Sequence, residues 1–237
     1  MKKILILLFF FSNLSLCLAQ DTINLMLRDK DISNFQKVKL YLNILNNKGE
    51  AVQNLDSSKF SIKENVSNKK VSPNVKKFMD SDESISLCFL IDASNSMIGA
   101  PLNNIKEGLL KILPDLRPSD KMGIAYFNDE FKKMTDFSSD KDILKNNIEA
   151  LSTGGSSSQI YPSIKEAVDW LSKQNTSRKI LIVLSDGEDN SNMQIEEVFN
   201  IIKDKPISVF SIGTLAESNE SKGFLRNMEN IANKSKD

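Results

Sequence analysis

Apolar residues recur along the chain at two spacings, and the switch between them marks its organisation. Between Asn34 and about Ser81 the pattern is strand-like. Val38, Leu40, Leu42 and Ile44 alternate with their neighbours, Asn46-Asn47-Lys48-Gly49 reads as a turn, and Phe60-Ser61-Ile62-Lys63 reads as a second short strand. A small β module over residues 34–81 is predicted, too short to bury a good core alone and expected to lean on the domain C-terminal to it. From Ser84 onward, four apolar runs, Ile85–Ile91, Met122–Phe127, Ile180–Leu184 and Ile207–Ile212, alternate with stripes at helical spacing. The stripes are Leu102, Ile105, Leu109, Ile112 and Leu113; Ile143, Leu144, Ile148 and Leu151; Ile160, Ile164, Val168 and Leu171; and Val198, Ile201 and Ile202. Such alternation predicts βαβ units, so the fold class is α/β: a doubly wound, mostly parallel sheet over residues 84–235, preceded by the β module. Asn128-Asp129-Glu130, between Phe127 and the run Phe131–Phe137, reads as a hairpin turn that adds an antiparallel strand. Phe224, Leu225, Met228 and Ile231 predict a last helix. Cys88 reads as a buried strand residue, and Trp170, beside a stripe, as partly covered.

The N-terminal twenty residues have another pattern. Lys2 and Lys3 precede an unbroken apolar run from Ile4 to Phe11, and the stretch ends near the small residues Cys17 and Ala19. This is the pattern of an export signal over residues 1–19, with cleavage after Ala19 favoured. Ser12 and Asn13 leave the run short of the roughly 20 apolar residues that span a bilayer. Acylation of Cys17 is the competing reading, which the bulky Leu16 fits poorly. The protein is expected outside the cytoplasm, in the periplasm, at the cell surface or secreted, with membrane contact only if Cys17 is lipidated or the leader stays.

Composition narrows the chemistry. Lys+Arg and Asp+Glu both number 31, and loss of the two leader lysines leaves a net charge near −2. No basic footprint for nucleic acid exists. The chain has no His, which removes the usual general base and the commonest zinc ligand. With two Cys, one of them in the leader, a thiolate cluster is excluded too. Oxygen ligands, carboxylates, Lys and hydroxyls remain.

Those oxygens collect where an open α/β sheet binds ligands, beyond the carboxyl ends of its strands. The first strand runs into Asp92-Ala93-Ser94-Asn95-Ser96-Met97, Ser152-Thr153-Gly154-Gly155-Ser156-Ser157-Ser158 precedes a helix, and a later strand ends in Ser185-Asp186-Gly187. In a tight turn, alternate side chains Asp92, Ser94 and Ser96 face one side, and Asp186 brings a second carboxylate. Hydroxyls and carboxylates suit a hard cation such as Mg²⁺. The plainer alternatives are that Asp92, Ser94 and Ser96 cap the helix after them, that Gly154–Ser158 is a flexible connector, and that Glu188, Asp189 and Asn190 form a solvated rim.

The segments LIDASNSM, STGGSSSQIYPSI and VLSDGED, in that order and spacing, resemble the three loops of the metal-ion-dependent adhesion site of a von Willebrand factor type A domain. The resemblance covers about residues 84–235, and KLYLNILNNKGEAVQNLDSSKFSIKEN resembles the short β module preceding such domains in some exported bacterial proteins. It implies a Rossmann-like domain in which Ser94 and Ser96 contact the metal directly, Asp92 and Asp186 act mainly through water, and a Thr of the second loop is replaced by Ser. Counting back from Ile160-Tyr161 gives Ser158 as that residue; counting forward from Gly154-Gly155 gives Ser156. The helix start favours Ser158. Loss of the stiff Thr rotamer is expected to lower affinity. The resemblance further implies Mg²⁺ or Mn²⁺ as cofactor and a protein partner that offers Asp or Glu to the ion. The family also continues past the last helix with one more strand; the chain is therefore either truncated, or leaves its Ile207–Ile212 strand open to a partner.

The expected function is accordingly that of an exported adhesion or assembly module, not an enzyme. A metal-free scaffold with a degenerate site is the alternative. A metal-assisted hydrolase with Asp92 as nucleophile fits less well, because it needs a second acid close to Asp92 and a phosphate-holding Lys, and Ala93-Ser94 provides neither.

Overall fold

A computed structural model of the chain describes residues 23–34, 37–63, 68–203, 205–214 and 221–234. The leader and the last three residues lie outside them. The chain divides into two compact units, Met1–Lys59 and Phe60–Asp237.

In the first unit, β1 (Asn24–Asn34) pairs antiparallel with β2 (Lys37–Leu45), from Asn24 opposite Leu45 to Asn34 opposite Lys37, with two register shifts. β2 holds the predicted positions Val38, Leu40, Leu42 and Ile44, but burial does not follow their alternation, since Val38 and Leu40 are exposed and Lys39 and Tyr41 half-buried. The Asn46 side chain accepts from the Lys48 and Glu50 N–H groups, and Gly49 takes φ +79°, closing the expected turn. β1 begins upstream of the predicted module. Its apolar residues do not alternate with polar ones, and Leu25, Leu27 and Ile32 are all more than half exposed.

The second unit opens with a two-residue ladder between β3 (Ile62–Lys63) and β4 (Lys70–Val71). Its main sheet contains β5 (Ile85–Asp92), β6 (Lys121–Phe127), β7 (Phe131–Ser138), β8 (Arg178–Ser185) and β9 (Ser208–Gly213), in the order β7-β6-β5-β8-β9. Every neighbouring pair is parallel except the β6–β7 hairpin. The predicted strands are all present.

Successive residues of β5 bury opposite ways, which explains why it reads as one continuous apolar run. Cys88 and Leu90 pack with α3 (Ile160–Ser172), α4 (Ile195–Lys203) and α5 (Ser221–Lys234). Phe89 and Ile91 pack with α1 (Ala100–Ile112) and α2 (Lys141–Ala150). Burial pushes the Cys88 thiol far above its ordinary value, so this side chain behaves as a small apolar residue. Two stripe positions depart from expectation, because Ile112 and Ile143 remain 41% and 48% exposed at the margins of their helices. Trp170 is not partly covered but buried, 4.4 Å from the Phe137 ring, over Gly123, where any Cβ would stand 2.8 Å from the indole.

At the start of β5, Arg117 donates to the carbonyls of Phe78, Met79, Ser81 and Glu83 and to both oxygens of Asp120. Asp120 also accepts from the Ile85 N–H. This latch fixes residues 78–85 against the turn after α1. Burial pushes the Asp120 carboxyl up, but hydrogen bonds from Arg117 and Ile85 and the Arg117 charge outweigh it and hold the group below its ordinary 3.8. A carboxyl depressed by folding contributes stability that is fully present above its unfolded value and is lost as pH falls through its folded value. The latch is therefore intact at neutral pH and fails progressively below about pH 4. Asp120→Asn is expected to lower the melting temperature at neutral pH and to flatten its decline in acid. An acid limb as steep as that of the unaltered protein would refute this.

Candidate metal centre

β5 lies at the point where the chain crosses to opposite sides of the sheet, between β6 and β8, and its carboxyl end opens the crevice that such a reversal creates. The alternation that turns Leu90 toward α3 turns Asp92 the same way. Asp92 is fully buried, and its Oδ1 accepts the Ser94 N–H at 2.9 Å. Its Oδ2 accepts the hydroxyls of Ser185 at 2.7 Å and Ser158 at 3.2 Å. Asp186, 2% exposed, accepts the Glu188 N–H at 3.1 Å. Ser94 Oγ lies 3.1 Å from Ser96 Oγ. Met97 is wholly buried beneath this turn and holds it to the core.

Backbone bonds join the first two loops. Ala93 N–H donates to Phe127 O at 2.8 Å, and Gly154 N–H donates to Ala93 O at 2.8 Å. The third loop grips the second: Asn190 Oδ1 accepts the Ser158 N–H at 2.7 Å, Asn190 N–H donates to Ser158 O at 2.8 Å, and Asp189 Oδ1 accepts the Tyr161 N–H at 3.2 Å.

The Asp92 carboxylate thus gathers the hydroxyls of Ser158 and Ser185 and the Ser94 N–H, and Ser96 adjoins Ser94. Asp186 is next in the chain after Ser185. Ser156, the other reading of the second loop, is exposed and faces Asp129. The capping alternative fails, since neither the short turn at Asn95–Met97 nor α1 receives a side-chain cap. The connector alternative fails at Ser158, which is 2% exposed and bonded through side chain and backbone. Asp189 and Asn190 lie at the rim, half-buried and exposed, and also stitch the third loop to the second. Ser185 stands in the third polar loop of the sequence with no predicted role of its own, and in the structure its hydroxyl donates to Asp92 Oδ2. Its place comes from register, because Ile91 pairs with Leu184 and the next residues, Asp92 and Ser185, come side by side.

The surroundings of Asp92 disfavour its charged form. Burial pushes the Asp92 carboxyl up, hydrogen bonds from Ser185 and Ser94 pull it down, and the Asp186 charge pushes it up again. Among the described residues, no Lys or Arg forms an ion pair with Asp92 or Asp186. A buried carboxylate without a counter-charge is costly unless it takes up a proton or a cation joins it. The donor set fits a hard divalent ion, and the 3.1 Å between Ser94 Oγ and Ser96 Oγ is close to the roughly 3 Å edge of an octahedron with Mg–O distances of about 2.1 Å.

Comparison with known proteins agrees with the architecture. The protein BatB from Bacteroides thetaiotaomicron is 18% identical, with a TM-score of 0.52 over 63% of this chain and 87% of that one. A von Willebrand factor type A structure from Catenulispora acidiphila is 14% identical, with a TM-score of 0.54 over 63% of this chain and 37% of that one. At these identities the likeness is one of fold. The von Willebrand factor type A domain family matches residues 86–237, nearly the whole of the second unit. By that match, and by the mostly parallel sheet between two helical layers, the chain belongs to the von Willebrand factor type A domain family.

Proposed function

We propose that the domain is an exported, metal-dependent protein-binding module that captures an acidic side chain of a partner through Mg²⁺ or Mn²⁺. The observation that carries this reading is the fully buried Asp92 carboxylate, set beside Asp186 and ringed by hydroxyls, with no cationic side chain in an ion pair with it among the described residues. Ser94, Ser96 and Ser158 would be the direct ligands, with Asp92 and Asp186 behind them. Ser158 donates a hydrogen bond from its hydroxyl to Asp92 Oδ2, which leaves its lone pairs for a cation. Ser185 donates to the same oxygen and holds the carboxylate in place.

A divalent ion bound mainly through neutral hydroxyls supplies an incompletely neutralised Lewis-acid position at which a foreign carboxylate replaces water. In this reading the chain's own residues position and bind, and the role is recognition. The apolar leader at residues 1–19 supports an extracytoplasmic location. Among the described residues, no helix is long and apolar enough to cross a membrane.

Isothermal titration of the protein with MnCl₂ and MgCl₂ is expected to give saturable heat that EDTA abolishes. The melting temperature should rise with cation, since an ion at a hundred times its dissociation constant adds about 2.7 kcal/mol to stability. Silence with both ions, and no thermal shift, would leave a metal-free scaffold. A pull-down from the envelope fraction with and without EDTA then identifies the partner.

A further inference from the structure

The β6–β7 turn touches none of the five candidate ligands through its side chains, yet it is bonded to the chain on both sides of Ser158. Asp129 Oδ1 accepts the N–H groups of Ser156 and Ser157 at 3.0 and 2.9 Å and their hydroxyls at 3.4 and 2.9 Å. Asn128 Nδ2 donates to Gly154 O at 3.0 Å, and Asn128 O accepts the Gln159 N–H at 3.0 Å. Gly155 sits so close that a Cβ there would stand 2.9 Å from both Asn128 Cβ and Asp129 Oδ2, and its φ of +85° favours Gly. A Gly-Gly-Ser-Ser-Ser stretch has high backbone entropy, so something must restrain it before Ser158 can present its hydroxyl at one point. One carboxylate oxygen receives four donors from the two residues preceding Ser158.

We infer that Asp129 is a positioning residue of the second loop: its carboxylate pins Ser156 and Ser157, thereby aims the Ser158 hydroxyl at Asp92, and so sets the affinity of the site for its cation. This rests on the reading of Ser158 as a ligand. Ordering the loop in advance removes an entropy cost that would otherwise fall on cation binding. Outer partners of metal ligands act in this way, and their loss weakens metal binding by roughly tenfold to a hundredfold.

The test is titration of MnCl₂ into the unaltered protein and into Asp129→Ala, Asp129→Asn and Asp140→Ala, with amide hydrogen exchange of Ser156 and Ser157 measured in the same proteins. Asp129→Ala is expected to weaken Mn²⁺ binding roughly tenfold and to speed exchange at both amides. Asp129→Asn, which keeps an acceptor oxygen, should recover most of the affinity. Asp140 caps α2 by accepting from the Asp142 and Ile143 N–H groups, so Asp140→Ala should lower the melting temperature and leave Mn²⁺ affinity alone. The inference is overturned if the unaltered protein binds Mn²⁺ and Asp129→Ala binds it equally well, if the two amides exchange no faster, or if Asp140→Ala weakens binding as much. If the unaltered protein takes up no Mn²⁺, the reading of the site itself falls, and the role of Asp129 in affinity falls with it.

Discussion

Asp92→Asn is expected to weaken Mn²⁺ and Mg²⁺ binding by about a hundredfold or more while leaving the protein, in EDTA, at least as stable as before. The substitution is nearly isosteric. An Asn oxygen can still accept from the Ser94 N–H, and the amide nitrogen would face Ser185 and Ser158, whose hydroxyls accept as well as donate. What disappears is a negative charge that burial and Asp186 already oppose. Deleting it relieves the metal-free protein and deprives the loaded one of its central anion. The two effects have opposite signs and are separated by thermal melting with excess EDTA and with excess MnCl₂. If the cation raises the melting temperature of Asp92→Asn as much as that of the unaltered protein, Asp92 does not serve the site.

The second large effect belongs to the other end of β5. Arg117→Ala should cost about 3 kcal/mol, because it strands the mostly buried Asp120 carboxylate and leaves the carbonyls of residues 78–83 without their shared donor. For a unit of this size the melting temperature should fall by about 6–12 °C, read by circular dichroism. Arg117→Lys should rescue little, since a single ammonium cannot reach all of these acceptors as the planar guanidinium does. Cation affinity should stay unchanged in both variants, because the length of β5, about 23 Å from Ile85 to Asp92, separates latch from site. Full stability in Arg117→Lys would sink the idea that the fork geometry matters.

The alternation of apolar runs and stripes revealed the main sheet and its helices because each element buries its own periodic face. The Asp92 turn and Asp186 were legible because polar residues come straight after strongly apolar strands there, and a strand end in such a fold is where a site forms. β1 was not legible, since Leu25, Met26 and Leu27 run together and four charged residues come next. Ser185 could not be linked to Asp92 without the β5–β8 register, a non-local property. Asp129, Asp189 and Asn190 look like ordinary turn residues in sequence; only folding shows that their acceptors meet the amides of the second loop and of α3. Arg117 and Asp120, three residues apart in a turn, gave no sign that carbonyls some 34 to 39 residues earlier would come to the guanidinium.

The packing around Gly123 has a practical consequence. The chain's single Trp lies against that glycine and the Phe137 ring, with Lys133 5.2 Å from the centre of the indole. All intrinsic indole emission therefore originates from the layer formed by β6, β7 and α3, and its colour and quenching report the integrity of that layer without any attached dye. Because α3 begins just after Ser158, the same optical signal watches the foundation on which the second loop stands.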